Sequence, residues 1–333
     1  MNIRPLFLSL LVAGCGNGTT GSMDLGSDGK KPAEVCTPDG KPIALSGQYG
    51  VQANLLVNVK VIPGCAGGTC VVNADANAEL LLIATVTQTG NSATMTARPC
   101  KIVIPPVALK GGNKPVILSA SKTLVSSVKE VTAASTLDSM VTCANFNAMP
   151  ITIALGANLA NPSNDPLPMY LGATTKFCGG AAPGVACLTN TSPAPSDTAC
   201  VCDQDGDAKL GASLDAMNAP GFDDIDKVYV DLRTSVTLAG QIFPAAAGQT
   251  NAGPRIKGTV AGLKLDQNVL GCHRNLAAPS TPRDCDDSET TTVAGFNPAV
   301  TQSTNGDSTF IAVPLAAGDT CDTLIANESA LFQ

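Results

Sequence analysis

From Val51 to Val61 the odd positions are Val51, Ala53, Leu55, Val57, Val59 and Val61, while the even positions are Gln52, Asn54, Leu56, Asn58 and Lys60. A period of two over this length gives a strand with one buried and one wet face. Residues 80–89 (LLLIATVTQT) also read as strand, Gly90 and Asn91 supply a turn able to take positive φ, and 92–97 (SATMTA) return, which predicts a hairpin. Val228, Val230, Leu232, Val236 and Leu238 alternate with Tyr229, Asp231, Arg233, Ser235 and Thr237, a second long strand expected to show a charged outer face to water. Shorter strands are expected at 101–104, 116–121, 151–155, 255–265 and 308–315. Within 255–265 the apolar parity changes near Gly262, which predicts a bulge.

Helix has two openings. Residues 123–134 carry Leu124, Val128 and Val131 at helical spacing but are rich in Thr, Val and Ser, so helix and strand compete evenly. Residues 320–333 read as a short terminal helix with Asp319 and Asp322 near its start. The fold class expected is all-β, mainly antiparallel, as a barrel or sandwich with at most one or two short helices. The Gly/Pro/Ser-rich stretch 179–200 separates 36–178 from 201–333, two lobes or two halves of one domain.

The start of the chain carries its own signal. A short positive segment with Arg4 precedes an apolar run from Leu6 to Val12 that is too short to span a bilayer, then Ala13, Gly14 and Cys15. Leu11, Val12, Ala13, Gly14 and Cys15 resemble the lipobox of bacterial lipoproteins. That resemblance implies that 1–14 is a cleaved signal peptide and that the Cys15 sulfur takes a diacylglycerol, whose acyl chains hold the protein to a membrane. Gly16, rather than Asp, implies the outer membrane by the enteric sorting pattern. Residues 15–35 are then a lipidated tether whose Gly, Ser, Thr and Asp cannot offset the entropy of ordering.

Of 13 Cys, Cys15 is the lipid site, leaving 12: Cys36, Cys65, Cys70, Cys100, Cys143, Cys178, Cys187, Cys200, Cys202, Cys272, Cys285 and Cys321. An even number in an oxidising compartment is expected to pair. Cys65 with Cys70, Cys272 with Cys285, and pairs among Cys178, Cys187, Cys200 and Cys202 are the local candidates, Cys200 and Cys202 being too close to bond each other. With no Cys-x-x-Cys and one histidine, zinc, haem and iron–sulfur sites are not expected. The net charge of −7 argues against nucleic acid and anionic lipid as electrostatic partners. Aromatics at 3% without Trp argue against a membrane barrel's girdles.

One constellation suggests a ligand. In 202–211 (CDQDGDAKLG) the alternating Asp203, Asp205 and Asp207 resemble calcium loops of the EF-hand, dockerin and thrombospondin type 3 kinds. Alternate carboxylates on a turning backbone can converge on a hard cation. In EF-hand register Ala208 stands where Gly is expected and Leu214 where Glu is, so Asp215, one step late, is the further ligand expected, with Asp223, Asp224 and Asp226 as more distant acids. Catalytic candidates are weaker: His273 beside Cys272, Ser308 without a nucleophile elbow, and the pair Asp286 and Asp287. No phosphate-binding loop exists, so no nucleotide is expected. The chain is similar to uncharacterised cysteine-rich envelope lipoproteins in its lipobox, tether and Asp-rich turn. The expectation is a non-enzymatic, lipid-anchored envelope protein that binds an unidentified protein or small molecule or serves cell-surface structure. A lipocalin-like carrier of a small apolar ligand and a hydrolase using acidic residues are the alternatives.

Overall fold

The computed structural model describes residues 34–60, 70–71, 74–107, 109–110, 114–172, 174–180, 185–187, 199–219, 222, 224–249, 251, 253–295 and 299–332. The leader, Cys15, the tether up to residue 33, Cys65 and Asp223 lie outside them, and with Cys65 its expected pairing to Cys70. Residues from Cys36 to Gln333 form one compact unit.

The alternating segments are strands: β1 (Gly47–Lys60), β2 (Cys70–Val71), β3 (Ala74–Thr89) and β4 (Ser92–Val103). Gly90, at φ +55, turns β3 into β4, the left-handed backbone that glycine adopts without steric cost. After β5 (Leu109–Lys110) and β6 (Ile117–Ala120), the contested stretch divides between both states. The Ser121 hydroxyl accepts the Leu124 N–H at 3.0 Å and starts α1 (Lys122–Ser127), while the β-branched residues beyond it enter β7 (Val131–Thr136). Then follow β8 (Asn145–Leu155), β9 (Ala157–Asn158), β10 (Cys200–Val201) and β11 (Ala212–Met217). Two long strands, β12 (Ile225–Phe243) and β13 (Arg255–Arg274), precede β14 (Arg283–Asp284) and α2 (Asp287–Ala294). The chain ends through β15 (Ala299–Gln302), β16 (Ser308–Pro314), α3 (Cys321–Ala326) and α4 (Glu328–Leu331), the terminal helix expected being split in two.

Among the described residues one sheet joins twelve strands along the order β6-β11-β12-β13-β15-β1-β3-β4-β7, with β16 between β1 and β13, β14 on β13, and β8 returning to β12. Strands from both sides of the 179–200 stretch interleave in it: β16 pairs with β1, and β11 with β6. Among the described residues β7 and β8 share no ladder; just past β7 an isolated bridge joins Leu137 to Phe146, beside a Ser135 hydroxyl bond to the Asn147 carbonyl. No closed barrel forms, because side-chain bonds such as Asn145 N–H to Asp138 take the place of a strand ladder there. Gly262, at φ +62, lies in the expected bulge, where the β12–β13 register shifts between Ser235 and Thr237.

The three largest apolar clusters among the described residues result from this arrangement. The odd face of β1 meets Leu82, Val86, Met95, Phe146 and Phe310 inside the curled sheet, with Phe146 and Phe310 edge to face at 5.9 Å. The apolar run of β3 is buried on both faces, since Leu81 and Ile83 point the other way and are covered by Leu315 and by Leu324 of α3. The other end of β12 and β13 packs Val228, Val230 and Cys272 against Leu124 of α1 and Val293 of α2. The outer face of β12 departs from expectation: Tyr229 is 3%, Asp231 0% and Arg233 7% exposed. That face is roofed by residues brought from elsewhere in the chain, Val201 and Phe177 over Tyr229 and the carbonyls of Pro162 and Asp165 on Arg233.

Among the described residues five disulfides join ten cysteines: Cys36–Cys143, Cys100–Cys321, Cys178–Cys200, Cys187–Cys202 and Cys272–Cys285. Cys100–Cys321 closes a loop of 221 residues and pins α3 over Leu81 and Ile83. By the chain-entropy argument a loop that long stabilises by about 5 kcal/mol. Replacing Cys100 and Cys321 together by Ala is expected to lower the unfolding free energy in water by roughly that amount, read from denaturant unfolding with midpoint and slope both fitted; an unchanged unfolding free energy would count against this role.

Candidate metal centre

The Asp-rich segment is held rigidly before any ligand is considered. Cys200 and Cys202 are bonded to Cys178 and Cys187, and Asp203 lies in a parallel bridge with Ala186 on one side and with Gly211 on the other. The Cys187 N–H donates to the Asp203 carbonyl at 2.8 Å, and the Asp203 N–H to Val185 at 2.9 Å. For the chain to return to Gly211, the backbone turns left-handed at Gly206 (φ +76), Ala208 (φ +62) and Gly211 (φ +72). Ala208, the departure from the calcium-loop pattern, thus adopts the very conformation that glycine would supply. Gln204 anchors the loop from beneath, accepting the Gly156 N–H at 3.1 Å and donating to the Ser127 carbonyl at 2.9 Å.

Within this frame one carboxylate oxygen from each of Asp203, Asp205 and Asp207 lies within 4.8 Å of the others. Asp203, buried, accepts the N–H of Gly206 at 2.8 Å and of Ala208 at 3.0 Å. Asp207 accepts the Lys209 N–H at 2.9 Å and the Ser213 hydroxyl at 2.7 Å. Asp205 Oδ1 is shielded from solvent and has no hydrogen-bond donor among the described residues. Burial first, then the negative charges of Asp207 and Asp203, push its carboxyl up to about 6. Crowded oxygens of one sign, part of them dry, are the chemistry of a hard-cation site.

The sequence-selected acids do not all gather here. Asp215 lies on β11 and pairs with Lys227 at 3.2 Å. Asp224 is engaged by Arg274 at 2.9 Å, and Asp226 lies 2.7 Å from His273 Nδ1. Asp286 caps α2 by accepting the Glu289 N–H at 2.9 Å, and Asp287 accepts the Tyr170 hydroxyl. Ser308 is buried near the start of β13, opposite Val260, and accepts the Leu56 N–H at 2.9 Å. His273 stands at the far end of that strand, so the two are not brought together.

What the sequence did not offer is the neighbouring network. Lys209 Nζ reaches Asp284 at 2.7 Å, and the buried Tyr229 donates its hydroxyl to the same carboxylate at 2.8 Å, joining the Asp loop to β12 and β14. No local pattern announces it, since the three residues are far apart in the chain. Compared with protein-family models and with curated proteins, the chain matches none.

Asp205→Asn removes the most destabilised charge of the cluster. Since Asp205 holds its proton more tightly folded than unfolded, its cost grows as pH rises from about 4 toward 6 and is constant above. In chelator the variant is therefore expected to melt a few degrees higher than wild type at pH 7, with the two curves converging below about pH 4; a variant that melts lower would contradict the crowding.

Proposed function

We propose that the chain is a lipid-anchored protein of the bacterial envelope with a non-enzymatic binding or structural role, in which calcium at Asp203, Asp205 and Asp207 stiffens one face. The observation that carries this reading is the five disulfides, because bridges at this density persist in oxidising compartments and not in a reducing cytoplasm. They agree with a leader of lipobox type over 1–14 that precedes Cys15, the residue we take to carry the acyl chains, and Gly16 implies outer-membrane sorting.

The interior favours this role over a carrier. The space inside the curled sheet, between Val51, Met95, Phe146 and Ile242, amounts to a cavity of about 40 Å³. Sites for small organic ligands are commonly about 300–1,000 Å³. The residues fit for hydrolysis are committed to structure, as Asp286 is in its helix cap and Ser308 in its bond from Leu56.

Two measurements test the proposal. Millimolar calcium is expected to raise the melting temperature of the protein over that in chelator, an affinity typical of extracellular modules being enough, and Asp205→Asn should lose that increment. No increment in wild type removes calcium from the proposal. Separately, Cys15→Ala is expected to move the protein from the membrane to the aqueous fraction and to remove the lipid mass seen on the intact mature protein; retention of the variant in the membrane sinks the anchor.

A further inference from the structure

Midway along β12 stands an acid with no visible means of support. Asp231 is 0% exposed, and neither of its carboxyl oxygens has a hydrogen-bond partner among the described residues. Burying a carboxylate without partners costs so much that the group holds its proton instead. The roof over this part of the sheet is the segment between β9 and residue 172, and it is tied down on both sides of Asp231. Two residues along the same strand, Arg233 donates to the carbonyls of Pro162 at 3.2 Å and Asp165 at 2.5 Å. Across the ladder, Asn268, the register partner of Asp231, donates to the carbonyl of the buried Pro168 at 3.1 Å.

The charged and titratable groups around Asp231 are committed elsewhere. On β12, Arg233 also grips Asp266 at 2.6 Å, and Tyr229 gives its hydroxyl to Asp284. On β13, Lys264 pairs with Asp266 at 3.1 Å. On the roof, the Asp165 carboxylate accepts the Asn161 N–H at 2.7 Å. Each of these cations is engaged by another carboxylate or by carbonyls, and among the described residues none pairs with Asp231.

We propose that residues 161–170 form a pH-sensitive latch, held shut by the protonated Asp231 in mild acid and loosened as the solution is brought to neutrality, when opening lets water hydrate the carboxylate. Burial raises the Asp231 carboxyl to about 8, Asn268 opposing, whereas an open, hydrated Asp titrates near its ordinary value of about 3.9. The closed state thus keeps a proton that the open state releases. Closure weakens about tenfold per pH unit between those two values and is level above them. The latch sets the mobility of the segment that presents the exposed Met169.

The test is amide hydrogen exchange on the full chain, corrected for the intrinsic pH dependence of exchange. The reporters are the hydrogen-bonded N–H groups of Asn161, Asn164 and Asp165. In wild type their protection is expected to fall about tenfold per unit from roughly pH 5 to 8, and in Asp231→Asn to be independent of pH. Identical profiles in the two proteins overturn the latch. Should the variant fail to fold, infrared spectroscopy of Asp205→Asn, which removes the other raised aspartate, decides: a neutral carboxylic C=O band in the native protein at about pH 7 that is lost on unfolding supports the proposal, and absence of that band overturns it.

Discussion

The ladder between β12 and β13 is the interaction on which the rest of the molecule depends. It runs from Ile225↔Arg274 to Phe243↔Arg255, the longest ladder among the described residues, and it reaches both large cores. At one end Leu238, Ile242 and Val260 face the interior of the curled sheet, and at the other Val228, Val230 and Cys272 face α1 and α2. Register shifts at Tyr229/Val230 and Ser235/Thr237 let the two strands bend between these cores without losing their pairing. Where they cross most closely, a side chain at Gly258 would sit 2.0 Å from the Ala239 carbonyl, so small residues are required.

A chain with few aromatics and many Ala, Val and Thr gains little from each buried side chain. The remedy is length of strand and covalent closure. Cys36–Cys143 and Cys100–Cys321, with sequence separations of 107 and 221, restrain the unfolded chain most, while the three shorter bridges hold local loops. Two of the short bridges flank the Asp loop, and Gln204 ties it to the end of α1, which explains how three like charges are kept within reach of one another.

The outer face of β12 and β13 gathers the polar chemistry. Asp205 and Asp231 both hold protons more tightly than a free aspartate, for different reasons. Asp205 is partly dry and repelled by two like charges that a cation would relieve. Asp231 is sealed away with no opposite charge beside it and burial outweighing the opposing effect of Asn268, so a proton is what suits it. Between them, Tyr229, Asp284 and Lys209 form a bridge that couples loop to sheet.

By itself the sequence determined the β class, the β3–β4 hairpin, the bulge at Gly262, the Cys272–Cys285 bridge and the convergence of Asp203, Asp205 and Asp207. Each follows from period-two alternation, from a residue able to turn left-handed, or from proximity along the chain, all of which act over short separations. Tertiary structure alone decided that the strands of both halves share one sheet, that the ladder stays open between β7 and β8, and that Asp215 faces Lys227 instead of the Asp loop. It also decided that the apparent wet face of Tyr229, Asp231 and Arg233 is buried. Alternation states which residues share a face of a strand, and only the path of distant segments determines whether that face meets water.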